Sequence, residues 1–321
     1  MSNNAIHYLK YLILLPIIAL ILTNCEREVD IDLPDPVEKI VVEGSIENNS
    51  PPLVILNRNL PYFGTITYQM YQDNFVHDAV VTVSDGETSI TLSEICWSDL
   101  SDAEKALFGG FAGTALPDSL DSDFDFCLYT NFPPTMLGQF GKKYTLHIQT
   151  TDGQEASALT SIPMPAPLDS FWLKMHNSGK AEYDSLRRLF VQLKDPDTLG
   201  NYYRYFIKIN DGAFVAPTGS VYDDLVINGA EFFFPLDRPV PAGEQPSFET
   251  FGYFTLGDTV TVKWVTIDRA TYDFWNTLEF VRNSAGPFGG PTKVVYNIEG
   301  ENFIGIWGGS GVSNLQEIII N

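Results

Sequence analysis

The sequence predicts a mainly-β fold: two β-sandwich-like domains with one or two short helices. Three observations predict it. From Glu38 onward, hydrophobicity alternates with a period of two in short β-branched runs such as "KIVVEGSI", "AVVTVSDG" and "KYTLHIQT". The pairs Asp85-Gly86, Asp152-Gly153, Asp211-Gly212 and Asn228-Gly229 punctuate these runs as tight-turn signals. A proline-rich break, "IPMPAPLD" at residues 162–169, then divides the chain into halves that are each long enough for a core.

The amino-terminal segment stands apart from these strands. The apolar run Tyr11–Leu22 is 12 residues long, whereas a spanning helix needs roughly 20. That length suits the apolar region of a secretory signal, with Lys10 and the amino terminus as its positive flank. Leu22-Thr23-Asn24-Cys25 resembles a bacterial lipobox, in which an aliphatic residue lies three before the cysteine that becomes diacylated. Residues 1–24 are therefore expected to be a lipoprotein signal peptide, and Cys25 the lipidated first residue of the mature chain. Residues 25–37, with "EREVDIDLPDPV", read as an acidic tether. Glu26, Glu28 and Asp30 after the cysteine resemble a surface-export signal of some Bacteroidota lipoproteins, which favours the cell-surface face of the outer membrane over the periplasmic one.

The first domain is expected over 38–162. Its last hairpin, "GKKYTLHIQTTDGQEASALTSIP", resembles the end of an immunoglobulin-like or prealbumin-like sandwich. An acidic insertion, 98–126, interrupts it. Ser101 and Glu104 have the spacing of a capping box that opens a short helix there. Cys96 and Cys127 flank the insertion. They are two buried thiols or a disulfide, and export favours the disulfide. Asp121, Asp123 and Asp125 alternate as calcium ligands do, but Phe126 and Phe132 occupy the places where a helix–loop–helix calcium motif needs Gly and Glu. A solvated acidic loop is the expected reading, with calcium as the weak alternative. "KDPDTLGN" is read in the same way. Residues 163–167 form the expected linker.

The second domain, 168–321, resumes with "LRRLFVQLKD", "NYYRYFIKIN", "DLVINGAEFFF" and "TVTVKWVTID". Asp268 is a candidate N-cap for a helix near 269–283. Its apolar positions Tyr272, Trp275, Leu278 and Val281, widened by Phe274 and Phe280, should lie on the second sandwich as a lid or brace. In "NYYRYF", Tyr202, Arg204 and Phe206 share one face, and Tyr203 and Tyr205 share the other. One face is core; the other is either a contact surface or, as the favoured reading, a sheet face covered by neighbouring loops. Tyr203 and Tyr205, with Phe232, Phe233 and Phe234, are the candidate interface, since Tyr is a typical interface anchor.

Catalytic chemistry finds little support. His77, His147 and His176 are isolated, with no His-x-His pair or HExxH, so a zinc site has little support and the histidines read as structural or solvated. No Gly-x-Ser-x-Gly elbow is present, and "GGSGV" around Ser310 reads as a tight turn. The formal charge is −22, and loss of the leader with its Lys10 makes the mature chain more acidic still. Such a chain should not bind nucleic acid.

Taken in order, "CEREVDIDLPDPVEKIVVEGSI", "VTVSDG", "KDPDTLGNYYRYF", "DDLVING", "GDTVTVKWVTIDRATYDFWNTL" and "GPFGGPTKVVYNIEGENFIGIWGG" resemble a Bacteroidota outer-membrane lipoprotein family of unknown function. The resemblance covers nearly the whole mature chain. It implies a gene setting beside TonB-dependent receptors. The expected function is a non-catalytic accessory or binding partner of a TonB-dependent transporter. A free-standing envelope adhesin or structural lipoprotein is the alternative, and a hydrolase with an unrecognised site the minor one.

Overall fold

The computed structural model describes residues 37–60, 68–102, 104–105, 126–241, 244, 246–284 and 293–321. The first lobe contains β1 (Ile40–Glu47), β2 (Leu53–Arg58), the short helix α1 (Tyr68–Gln72), β3 (Val80–Ser84), β4 (Ser89–Cys96), β5 (Cys127–Thr130), β6 (Lys143–Gln149) and β7 (Glu155–Ser161). Period-two alternation drives these strands inward on one side. In β6, Tyr144, Leu146 and Ile148 are fully buried while their neighbours face water. The turn at Asp85-Gly86 closes β3 onto β4. The Asp85 carboxylate accepts from the backbone N–H of Glu87 and Thr88, and Gly86 takes φ +90°.

β4 changes partner midway. Ser89–Leu92 pair with β3, whereas Ser93–Cys96 pair with β5. One strand thus turns the corner between two layers, a device of sandwiches whose sheets are continuous.

The second lobe contains β8 (Leu168–Met175), β9 (Leu186–Lys194), β10 (Tyr202–Ile209), β11 (Val221–Asp223), β12 (Glu231–Leu236), β13 (Phe254–Thr255), β14 (Thr259–Ile267), α2 (Arg269–Asn283), β15 (Phe303–Val312) and β16 (Gln316–Ile319). β9 carries β8 on one edge and both β12 and β13 on the other, which makes a four-stranded sheet. The remaining strands form a single twelve-stranded sheet in the order β11-β10-β14-β15-β1-β2-β5-β4-β3-β6-β7, with β16 also on β14. The protein is mainly β, as its alternation predicts.

The expected separation into 38–162 and 168–321 needs correction. The hydrophobic core does divide near the proline-rich segment. Among the described residues, one cluster runs from Ile40 to Ile162, a second begins at Ala166, and a smaller third, Leu53 to Leu128, belongs to the first lobe. Yet Phe303 and Trp307, late in the chain, pack into the first core. Their strand, β15, pairs in parallel with β1 and antiparallel with β14. Glu38–Asn321 form one compact unit. Residues 163–167 are pinned rather than free: Ala166 N–H donates to Thr266 Oγ1 at 3.1 Å, and its carbonyl accepts from Trp264 Nε1 at 3.0 Å.

"GGSGV" is strand and not turn. It forms the end of β15, and a Cβ at Gly309 would meet the Ser161 carbonyl oxygen at 2.2 Å. The glycines let β7 cross close over β15. Helix α2 begins after Asp268, whose carboxylate accepts from Thr271 N–H at 2.9 Å. Thr271 and Phe274 are its buried residues, while Phe280, expected on the apolar stripe, is 55 % exposed. The Ser101–Glu104 capping box also forms, with each residue's backbone N–H bonded to the other's side chain. Among the described residues, no helix is long and apolar enough to cross a membrane.

Candidate functional site

The shared sheet gives β1 two unlike faces. Val42 and Ile46 enter the core, and Glu43, Ser45 and Glu47 alternate onto the opposite face. Across the parallel pairing, Glu43, Ser45 and Glu47 stand opposite Ile306, Gly308 and Ser310 of β15. Arg204 and Phe206 of β10 extend the same face. Thr271, Trp275 and Arg282 of α2 wall one side, and Ala213–Ala216 contribute to the rim. The result is a cleft of about 640 Å³.

Its charges are arranged in two ways. Lys263 is buried and donates to both carboxylate oxygens of Glu47 at 2.7 Å, so this pair is internally satisfied. Arg204 is buried against the Trp275 ring, with its guanidinium carbon 3.5 Å from the ring centroid. Arg204 Nε donates to Ser220 Oγ at 3.1 Å, and the Ser220 hydroxyl donates in turn to Glu279. Burial works against the Arg204 charge, while Glu279 and Glu43 support it. Glu43 differs from Glu47. Water reaches its side chain, yet surrounding protein desolvates the carboxylate and pushes its pKa above 4.5, opposed by Arg204 and Arg282. Among the described residues it is coupled to these cations at a distance and forms no ion pair.

The expected interface is redistributed. Tyr203 and Tyr205 are fully buried in the second core, not on a contact surface. Their polar tips have partners, which makes burial affordable: Tyr203 hydroxyl donates to Asp195, and Tyr205 hydroxyl accepts from Asp237 N–H at 3.1 Å. Phe234 is also core, whereas Phe232 and Phe233 are 42 % and 54 % exposed. The face that alternation left for contact is the one bearing Arg204 and Phe206, and α2 partly covers it. "KDPDTLGN" is not merely a solvated turn, because buried Asp195 accepts from Gly229 N–H at 3.1 Å as well as from Tyr203.

Cys96 and Cys127 are joined in a disulfide. Cys25, Asp121, Asp123 and Asp125 lie outside the described residues. Sequence reasoning missed Glu43, Glu47 and Lys263. Their signal was two acids four apart in an apolar strand and one lysine inside "TVTVKWVTID", each on the strand face away from the core.

Residues 26–316 match the family model described as Domain of unknown function (DUF4249). The chain belongs to that family. No curated protein matches it. The residues matched to the DUF4249 family include the cleft, the first core and all of the second core but Ile320.

Proposed function

We propose that this DUF4249 member is a non-catalytic outer-membrane lipoprotein of a Bacteroidota cell, anchored through Cys25. Its role is that of accessory or binding partner of a TonB-dependent transporter. The cleft over β1, β10, β14 and β15 is its ligand-contact surface. The observation that carries this reading is Glu43, a desolvated but water-accessible carboxylate in the same cleft as Arg204 and Arg282 and, among the described residues, without an ion pair of its own. Separated opposite charges over a concave sheet face suit a ligand that presents both a cationic and an anionic group. The lipobox-like segment and the acidic body support the anchored, membrane-proximal setting. A tether raises effective concentration, so a modest interface with a membrane partner suffices.

Pulldown in gentle detergent with quantitative proteomics tests the partner. Enrichment of a β-barrel transporter over an unrelated lipoprotein control is expected, and weaker enrichment when 98–126 is deleted. If no such barrel is enriched, the adhesin reading replaces this one. A specific observation favours that second reading: Phe233 packs edge-on against Trp172, which stacks on Phe190 at 5.8 Å, and this forms a partly exposed aromatic patch on the four-stranded sheet.

A further inference from the structure

Cys96 and Cys127 stand directly opposite each other in the pairing of β4 with β5. Glu94 precedes Cys96 by two residues and projects to the same side of β4, with its Oε1 4.0 Å from the Cys96 sulfur. His77, just before β3, brings Nδ1 against that same Oε1. One ligand atom from each of the four residues lies within 4.8 Å of the other three. The second Glu94 oxygen is held separately: it accepts from Asp78 N–H at 2.9 Å and from Tyr129 hydroxyl at 3.2 Å. Such outer partners orient a ligating carboxylate. The His77 side chain is half-exposed, so an ion has a path in.

We propose that, once a dithiol opens the disulfide, His77, Glu94, Cys96 and Cys127 form a four-ligand site for a zinc-class divalent cation. The dithiol donates two electrons and two protons and becomes its own disulfide, while the Cys96–Cys127 bond breaks to two thiols. Rotation about the cysteine side chains then separates the sulfurs. Cation binding releases both thiol protons to solvent and leaves two thiolates. The neutral His77 ring donates its Nδ1 lone pair with the ring proton on Nε2, and Glu94 contributes Oε1. Two sulfurs, one nitrogen and one oxygen match the tetrahedral preference of zinc. In the oxidised protein the sulfurs are bonded to each other and supply no thiolate, so the thiol redox state gates the site.

The mature full-length chain is reduced with dithiothreitol and freed of it anaerobically, then loaded with zinc and desalted, and bound metal is counted. About one zinc per chain is expected, against almost none for the oxidised protein. Cobalt loaded in place of zinc should show a thiolate-to-metal charge-transfer band. His77→Ala and Glu94→Gln keep both thiols and should each weaken zinc binding by at least about tenfold. Their fold is checked by circular dichroism in the oxidised state. The proposal is overturned if reduced wild type holds no more zinc than the reduced Cys96→Ser/Cys127→Ser chain. Zinc affinity unchanged by both His77→Ala and Glu94→Gln also overturns it. So does a reduced chain that loses its native circular dichroism and does not regain it with zinc.

Discussion

Gly44 lies against the indole of Trp307: a Cβ at Gly44 would come within 2.7 Å of Trp307 Cε3. The two residues are partners in the parallel pairing of β1 with β15. Trp307 is fully buried, and its Nε1 donates to the Tyr144 carbonyl at 2.9 Å. A residue from the end of the chain thereby fills the core made by its beginning, and the missing side chain at Gly44 provides the room.

This contact predicts coupled stability. Trp307→Ala should cost about 3–5 kcal/mol, and Gly44→Val about 1–3 kcal/mol through overpacking. Urea unfolding followed by fluorescence and by far-UV circular dichroism is the measurement. Because β15 bridges β1 and β14, both probes should report one transition in wild type and in the variants. Two separated transitions would show that the lobes fold independently.

Glu43 predicts a pH signature. Its folded-state pKa is raised above 4.5 because desolvation penalises the charged form. The fold therefore binds the proton more tightly than the unfolded chain does. Stability from this group is present below about pH 4.5 and is lost as pH rises through the raised value. Glu43→Gln should leave the melting temperature nearly unchanged in mild acid and raise it at neutral pH. A neutral-pH melting temperature equal to or below that of wild type would count against the desolvated carboxylate. A gain in stability with a loss of ligand affinity is the pattern expected of a site kept at the expense of stability.

How much of this was legible follows from what alternation encodes. The strands of "KIVVEGSI", "KYTLHIQT" and "TVTVKWVTID" and the helix after Asp268 were readable, because local periodicity and a cap determine them. Alternation separates two faces but does not say which is buried. Tyr203 and Tyr205 went to the core because Asp195 and Asp237 N–H meet their hydroxyls, and those partners lie 8 and 32 residues away. The parallel pairing of β1 with β15 joins positions more than 250 residues apart, for instance Gly44 and Trp307, and no local pattern announces it. The cleft is a product of that pairing, so it was illegible for the same reason. Glu43 and Glu47 were visible only as acids in a strand.

Lipidation is testable apart from the fold. The short apolar run ending at Cys25 predicts that labelled palmitate enters the wild-type chain and not Cys25→Ala. The variant should accumulate uncleaved or without fatty acid. Two or three acyl chains hold a protein to a bilayer firmly, at about 0.8 kcal/mol per buried methylene, so membrane association of the mature chain should fall sharply in the variant. Equal labelling of both proteins would place the anchor elsewhere.

Asp195 and Tyr203 provide the test of the second core. Asp195 is 2 % exposed, and one of its carboxylate oxygens accepts from Tyr203 while the other accepts from Gly229 N–H. The phenol is buried, and burial together with the adjoining carboxylate pushes its pKa up, so it remains a neutral donor. Tyr203→Phe keeps the ring stacked on Trp264 and removes only the hydroxyl. It leaves a buried acceptor with one donor fewer, which should cost about 1–3 kcal/mol. Asp195→Ala should cost at least as much, because it strands both the phenol and the Gly229 N–H. In the double variant, the loss should be smaller than the sum of the two single losses, since each removes the same bond. Chemical denaturation of the four proteins measures the coupling. Additive losses would mean that the hydroxyl and the carboxylate act separately, and the burial of Tyr203 would then rest on ring packing alone.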